Sequence, residues 1–147
     1  MNTIGELYNR LHSAWSHSNA LYSKYAQAAN ISYQEFIFFI AAYNKEGQTQ
    51  KEICECYSIH KQTLNSTVKR LLVQGYIYME TSPKDKREKI IFLSETGKEY
   101  AHRLLAPLCE IEMSVYGMIG DEKLQQMVET TEHINLLFGK MLEDRFK

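Results

Sequence analysis

The chain has 147 residues, 44% of them apolar and 24% charged, with a formal net charge of −1 at pH 7. This length supports one domain spanning 1–147 with a hydrophobic core, and no run reaches the roughly 18 consecutive apolar residues of a membrane-spanning helix. The opening MNTIGELYNRLHSAW lacks the basic start and apolar stretch of a secretory signal, which points to the cytoplasm, where Cys54, Cys56 and Cys109 are expected to stay thiols.

From Ile4 to Ala29, Ile4, Leu7, Leu11, Trp15, Tyr22 and Tyr25 recur at near-helical spacing, and a long amphipathic helix is predicted. Ser32-Tyr-Gln-Glu35 has the S-x-x-E form in which the two side chains satisfy each other's backbone amides. A second helix therefore begins near Tyr33, carries Phe36, Phe39, Ile40 and Tyr43 inward, and ends between Asn44 and Gly47. Thr49-Gln-Lys-Glu52 repeats the capping pattern and opens a short third helix that runs to about Tyr57. After a break at Ser58-Ile59-His60, Leu64, Val68, Leu71 and Leu72 share one face of a fourth helix from Lys61 to about Gln74, closed by Gly75. A short helix, a tight turn and a longer helix make a helix-turn-helix candidate.

Tyr76–Ser82 and Lys89–Leu93 are rich in β-branched and aromatic residues and flank a polar tip, so they read as a β-hairpin. Ser94 is expected to cap a helix from Glu95 to about Ile119, bent by Pro107, and Asp121 a last one running nearly to Phe146. That last helix carries Leu124, Met127, Val128, Ile134, Leu137, Phe138, Met141 and Leu142, a stripe that one small domain has little left to bury. Pairing with the first helix across the two-fold axis of a homodimer would cover both. The predicted class is mainly α with a small β-hairpin wing. A winged helix-turn-helix lobe occupies 32–97, and helical dimerisation regions occupy 1–29 and 98–147.

The near-neutral total hides an uneven distribution. Ser58 to Ile90 holds seven basic residues (Lys61, Lys69, Arg70, Lys84, Lys86, Arg87, Lys89) against three acidic ones (Glu80, Asp85, Glu88), while acidic residues predominate elsewhere. A basic middle between acidic flanks suggests one surface for an anionic partner. On the fourth helix, the face opposite Leu64, Val68 and Leu71 presents Lys61, Gln62, Asn65, Ser66 and Lys69, with Thr63 at its edge. Asn and Gln pair with adenine, Ser and Thr serve several bases, and Lys reaches guanine or phosphate. No Asp or Glu occurs between His60 and Met79 to repel phosphate, whereas an ordinary solvated face mixes both signs. This face is expected to read the major groove of double-stranded DNA. The tip Lys84-Asp85-Lys86-Arg87 offers a second contact, with Arg87 entering the minor groove and Asp85 holding the loop by pairing with the Arg87 guanidinium. The plainer reading of the tip is a charged turn that keeps the hairpin soluble.

The stretch TQKEICECYSIHKQTLNSTVKRLLVQGYIYMETSPKDKREKIIFLSETG, Thr49 to Gly97, resembles the winged-helix core of the MarR family of bacterial transcriptional regulators. Thr-Gln-Lys-Glu at the start of the motif, Arg70-Leu71 to Gly75 at its close, and Asp85-Lys86-Arg87 before Leu-Ser-Glu-Thr-Gly carry the resemblance. The long flanking helices fit it as well. It implies a homodimeric repressor on a pseudo-palindromic operator, with Lys61 to Lys69 in the major groove and Arg87 in the minor groove. Three positions depart from the family's usual pattern: His60 replaces a Ser or Thr cap, which would pass capping to Ser58 or weaken it; Ser58 replaces a frequent Gly; and Cys54 replaces a small residue, usually Ala, and is expected in the core.

The resemblance also implies a signal, which in this family is a small aromatic ligand, an oxidant or zinc. Trp15, Tyr22, Phe36 and Tyr100 are candidates to line an aromatic pocket between the first, second and fifth helices, although aromatics at this spacing commonly form core. Cys56 is expected to be exposed but has no activating neighbour beyond Lys51. His12, His17, His102 and His133 lack the spacing that puts two metal ligands on one helix face, and His102 with Cys109 makes only half a site, so no metal is expected. No phosphate-binding Gly loop or nucleophile motif is present, which excludes the common enzyme classes and their cofactors. A winged helix used for protein contacts, or a redox- or metal-responsive regulator of the same fold, is the competing reading.

Overall fold

The structure, a computed structural model, describes residues 3–146. Its elements run α1 (Ile4–Ala28), α2 (Tyr33–Asn44), β1 (Gln48–Thr49), α3 (Gln50–Tyr57), α4 (Lys61–Val73), β2 (Ile77–Thr81), β3 (Lys89–Leu93), α5 (Glu95–Ile119) and α6 (Asp121–Arg145). The predicted class holds, with one addition. The two-residue β1 joins the hairpin, giving a three-stranded antiparallel sheet in the order β1-β3-β2 with Gln48 opposite Ile91 and Met79 opposite Ile91 on the other side. Among the described residues no helix is long and apolar enough to cross a membrane.

The chain divides into two compact units, one ending at Leu105 and the other beginning at Ala106, so the boundary falls inside α5 beside Pro107. In the first unit, α2 is the central element. Phe36, Phe38 and Phe39 are fully buried while Tyr43 is exposed. The sequence pattern named Tyr43 among the inward residues and did not name Phe38. A helix covered on several sides has no single apolar stripe, and periodicity cannot locate its core face. Around α2 pack Ile53 from α3, Leu64, Val68 and Leu71 from α4, Ile77, Ile91 and Leu93 from the sheet, and Ala101, Leu104 and Leu105 from α5. Only the end of α1 joins this core. Ala26 is buried, and the Tyr25 hydroxyl donates to the Leu104 carbonyl at 2.7 Å.

Both predicted capping patterns start helices, but they resolve differently. At α3, Thr49 Oγ1 accepts from the Glu52 amide and the Glu52 carboxylate accepts from the Thr49 amide, a complete box. Thr3 and Glu6 make a second complete box at α1. At α2, Ser32 Oγ accepts from the Glu35 amide at 3.2 Å, yet the Glu35 side chain does not return to Ser32. It turns inward, 6% exposed, and meets Arg70 Nη1 of α4 at 2.9 Å. A buried carboxylate needs a partner more than a helix terminus needs a second cap, so the ion pair wins.

The turns follow local stereochemistry. Gly75 closes α4 at φ 73°. Ser94 Oγ accepts from the Gly97 amide at 3.0 Å and donates to the Gly75 carbonyl at 2.6 Å, locking the start of α5 onto the end of α4. Gly97 is required there because an added Cβ would sit 1.8 Å from the Tyr76 carbonyl oxygen. Asp121 is the first residue of α6 rather than its cap. Gly120 at φ 88° occupies the cap position without a side-chain hydrogen bond, and Asp121 and Glu122 act on the helix dipole from the first turn.

Removing Arg70 leaves the Glu35 carboxylate buried and unpaired. Arg70→Ala is expected to lower unfolding free energy by about 2 kcal/mol, less than for a fully buried pair because the guanidinium is half exposed. Urea denaturation of the variant checks this.

Candidate nucleic-acid interface

The outward face of α4 is built by what its inward face buries. With Leu64, Thr67, Val68 and Leu71 in the core, Lys61, Gln62, Thr63, Asn65, Ser66 and Lys69 are all exposed. All six predicted residues therefore share the solvent side of one helix. The buried Thr67 hydroxyl is satisfied by the Thr63 carbonyl at 3.1 Å, and the Ser66 hydroxyl donates to the Gln62 carbonyl at 3.0 Å, which leaves its oxygen lone pairs for an incoming donor.

The turn before α4 corrects the expectation about Ser58. Ser58 does not cap the recognition helix but closes α3, in the left-handed conformation at φ 51° that glycine adopts more readily. His60 stands at the cap position of α4 and makes no side-chain cap hydrogen bond. The first amides of α4 therefore remain without a side-chain acceptor beside Lys61.

In the wing, Lys84, Asp85, Lys86 and Arg87 are exposed. Asp85 has a structural task, though not the predicted one. Its Oδ1 accepts from the Arg87 backbone amide at 2.9 Å instead of pairing with the guanidinium. Two residues' separation suits an Asx turn better than a side-chain fork. Among the described residues, Lys61, Lys69, Lys84, Lys86 and Arg87 form no ion pair, and of the seven cations between Ser58 and Ile90 only Arg70 does.

Gln48 and Glu35 escaped the sequence reading. Gln48, buried in β1, donates from Nε2 to the carbonyls of Ala41 at 2.7 Å and Lys45 at 2.9 Å, satisfying the C-terminal end of α2. No local pattern marks such a residue. The Arg70 partnership of Glu35 joins residues that only the fold brings together.

The aromatic quartet is not brought together as one lining. Phe36 is in the core, 6.4 Å from Tyr22 between ring centres, while Tyr100 stacks on Tyr76 at 4.7 Å and Trp15 lies beside His12 at 5.7 Å. Burial, followed by the nearby Glu35, holds the Tyr100 phenol above its usual pKa. A larger open groove of about 640 Å³ lies elsewhere, lined by Tyr43, Glu46, Leu93, Lys98, His102 and Arg103 among others. Cys54 is half-buried rather than in the core, and burial raises its thiol pKa; Cys56 and Cys109 are exposed. Among the described residues no cluster of His, Cys, Asp and Glu suits a metal ion.

The Thr49 backbone amide, then Lys45, holds the Glu52 carboxyl below its usual pKa. A lowered folded-state pKa means that the capping contribution is present above the unfolded value and is lost as pH falls through the folded one. The stability difference between wild type and Glu52→Gln is expected to be under about 1 kcal/mol at pH 7, since water screens this half-exposed group, and to vanish as the pH falls below the ordinary carboxylate range. Thermal unfolding across that range measures it.

The MarR family pattern matches residues 29–88, from just after α1 to the tip of the wing before β3. The HTH-type transcriptional regulator SarZ of Staphylococcus aureus (strain USA300) is 28% identical over 95 residues, which cover 65% of this chain and 62% of SarZ, so the match spans less than two thirds of that relative. The structure of NMB1585, a MarR family regulator from Neisseria meningitidis, superposes with a TM-score of 0.78 at 25% identity over 99% of both chains. Staphylococcus aureus MarR, solved in complex with salicylate and kanamycin, shares the fold at a TM-score of 0.71 and 22% identity over 92% of each chain. The matched core, the full-length structural likeness and the order of elements agree: the chain has the winged helix-turn-helix fold of the MarR regulators and carries the MarR family pattern over residues 29–88.

Proposed function

We propose that this protein is a homodimeric, DNA-binding transcriptional repressor acting in the cytoplasm, with the exposed face of α4 in the major groove and Arg87 of the wing in the minor groove. The observation that carries the reading is the set of cations left unpaired by their own chain on α4 and the wing, in a segment where α4 has no carboxylate. A protein surface normally interleaves both signs. Unpaired lysines and arginines beside amides and hydroxyls suit phosphates and base edges.

The apolar faces support the dimer. No residue of α6 is buried, and Leu136, Leu137, Phe138 and Met141 are at least half exposed, as are Ile4, Leu7 and Tyr8 of α1. Exposed faces of this extent mark association surfaces. For the signal, the groove holding Tyr43, Glu46, Leu93, Lys98, Glu99, His102 and Arg103 combines an aromatic ring and an apolar floor with Arg103, while Lys98 is already paired with Glu46 and Glu95; Arg103 is the cation offered to a small aromatic anion such as the salicylate bound by the staphylococcal relative.

Selection from random duplex DNA is expected to enrich a site of two inverted half-sites about one helical turn apart, released when salicylate is added. Failure to enrich any sequence would end the DNA reading, and a complex indifferent to salicylate would end that choice of signal. Leu137→Glu is expected to shift the protein from dimer to monomer in sedimentation equilibrium. An unchanged dimer would place the interface off α6.

A further inference from the structure

We propose that Ser82 is a positioning residue for the wing: its buried hydroxyl holds the tip in the conformation that presents Arg87. The inference rests on the wing being a DNA contact. Ser82 directly follows β2 and is only 6% exposed, although it borders a tip whose next six residues are all exposed. Its Oγ accepts from two successive backbone amides, Lys84 at 3.2 Å and Asp85 at 3.4 Å. Pro83 has no amide to offer and fixes its own φ, so the two amides beyond it turn back onto the same oxygen.

The rest of the tip is closed in series. The Ser82 amide donates to the Glu88 carbonyl at 3.0 Å, the Glu88 amide to the Asp85 carbonyl at 2.9 Å, and the Arg87 amide to Asp85 Oδ1 at 2.9 Å. None of these bonds uses the side chain of Lys84, Lys86 or Arg87. This division of labour has a physical reason. Three cations within four residues repel one another, and a loop held by its own cationic groups would lose those contacts on meeting phosphate. A loop held by a neutral, buried hydroxyl and one carboxylate keeps its shape and leaves the cations free. Loop order is then established before binding rather than during it, which strengthens the complex without any direct contact from Ser82.

The test is a titration of full-length protein against the duplex that the wild type enriches, combined with amide hydrogen exchange on the free protein. Arg87→Ala is expected to weaken binding about tenfold. Ser82→Ala is expected to weaken it about fivefold, with faster exchange at the Lys84 and Asp85 amides. The double variant is expected to bind no more weakly than Arg87→Ala, because Ser82 acts through Arg87. Wild-type affinity for Ser82→Ala alongside a weakened Arg87→Ala overturns the inference alone. A further fivefold loss in the double variant also overturns it, since Ser82 would then act elsewhere. Wild-type affinity for Arg87→Ala removes the wing from DNA binding and the inference with it. Should Ser82→Ala fail to fold, Ser82→Cys, similar in shape and a weak acceptor, is read in the same titration.

Discussion

A buried carboxylate sets the orientation of α4. Glu35 lies in the first turn of the central helix, almost out of reach of water, and its counterion comes from the last turn of α4. Bringing Arg70 to that carboxylate fixes α4 in rotation about its own axis, where apolar packing alone would tolerate some sliding. With Arg70 directed at α2, the helical period places Leu64, Val68 and Leu71 in the core and Lys61, Gln62, Asn65, Ser66 and Lys69 toward solvent. A shift by one residue, about 100° of rotation, would separate the pair and turn part of the polar face inward. Ser94 and Gly97 secure the same C-terminal end of α4 by tying the loop after Gly75 to the start of α5.

Order and charge are separated across the rest of the lobe. Neutral groups or single carboxylates hold the turns: Gln48 at the end of α2, Thr49 with Glu52 at α3, and Ser82 with Asp85 in the wing. The cations of α4 and the wing tip are thereby left to solvent, apart from Arg70, which is committed to the core, while Lys89 donates to the Thr81 hydroxyl. A surface arranged in this way is stable without its partner and complementary to a polyanion. The apolar faces of α1 and α6 complete the argument for an assembly, because water-exposed Leu, Met and Phe in such number are unfavourable in an isolated chain.

Most elements were legible in the sequence because their signals are local. The S-x-x-E and T-x-x-E patterns mark helix starts, Gly75 marks a stop, and β-branched residues mark the hairpin on both sides of a charged tip. The six polar residues of α4 could be placed on one face because a one-sided helix obeys its period. The features that escaped depend on partners distant in sequence or on competition between local choices. Glu35 left its capping box for Arg70, Asp85 chose an amide over a guanidinium, Phe38 was buried on a helix covered on several sides, and β1 is too short to show a pattern. The aromatic quartet does not form one lining because rings at helical spacing first fill the core: Phe36 is there, while Tyr100 lines a small pocket with Tyr25 and Arg103.

On the proposed function, the protein grips a duplex with the α4 face and the wing together. Amide hydrogen exchange of the full-length protein, with and without the duplex it enriches, tests this most directly. Slowed exchange is expected to concentrate in residues 60–69 and 82–89 when DNA is bound. Protection confined to α1 and α6, or none in either segment, would contradict it.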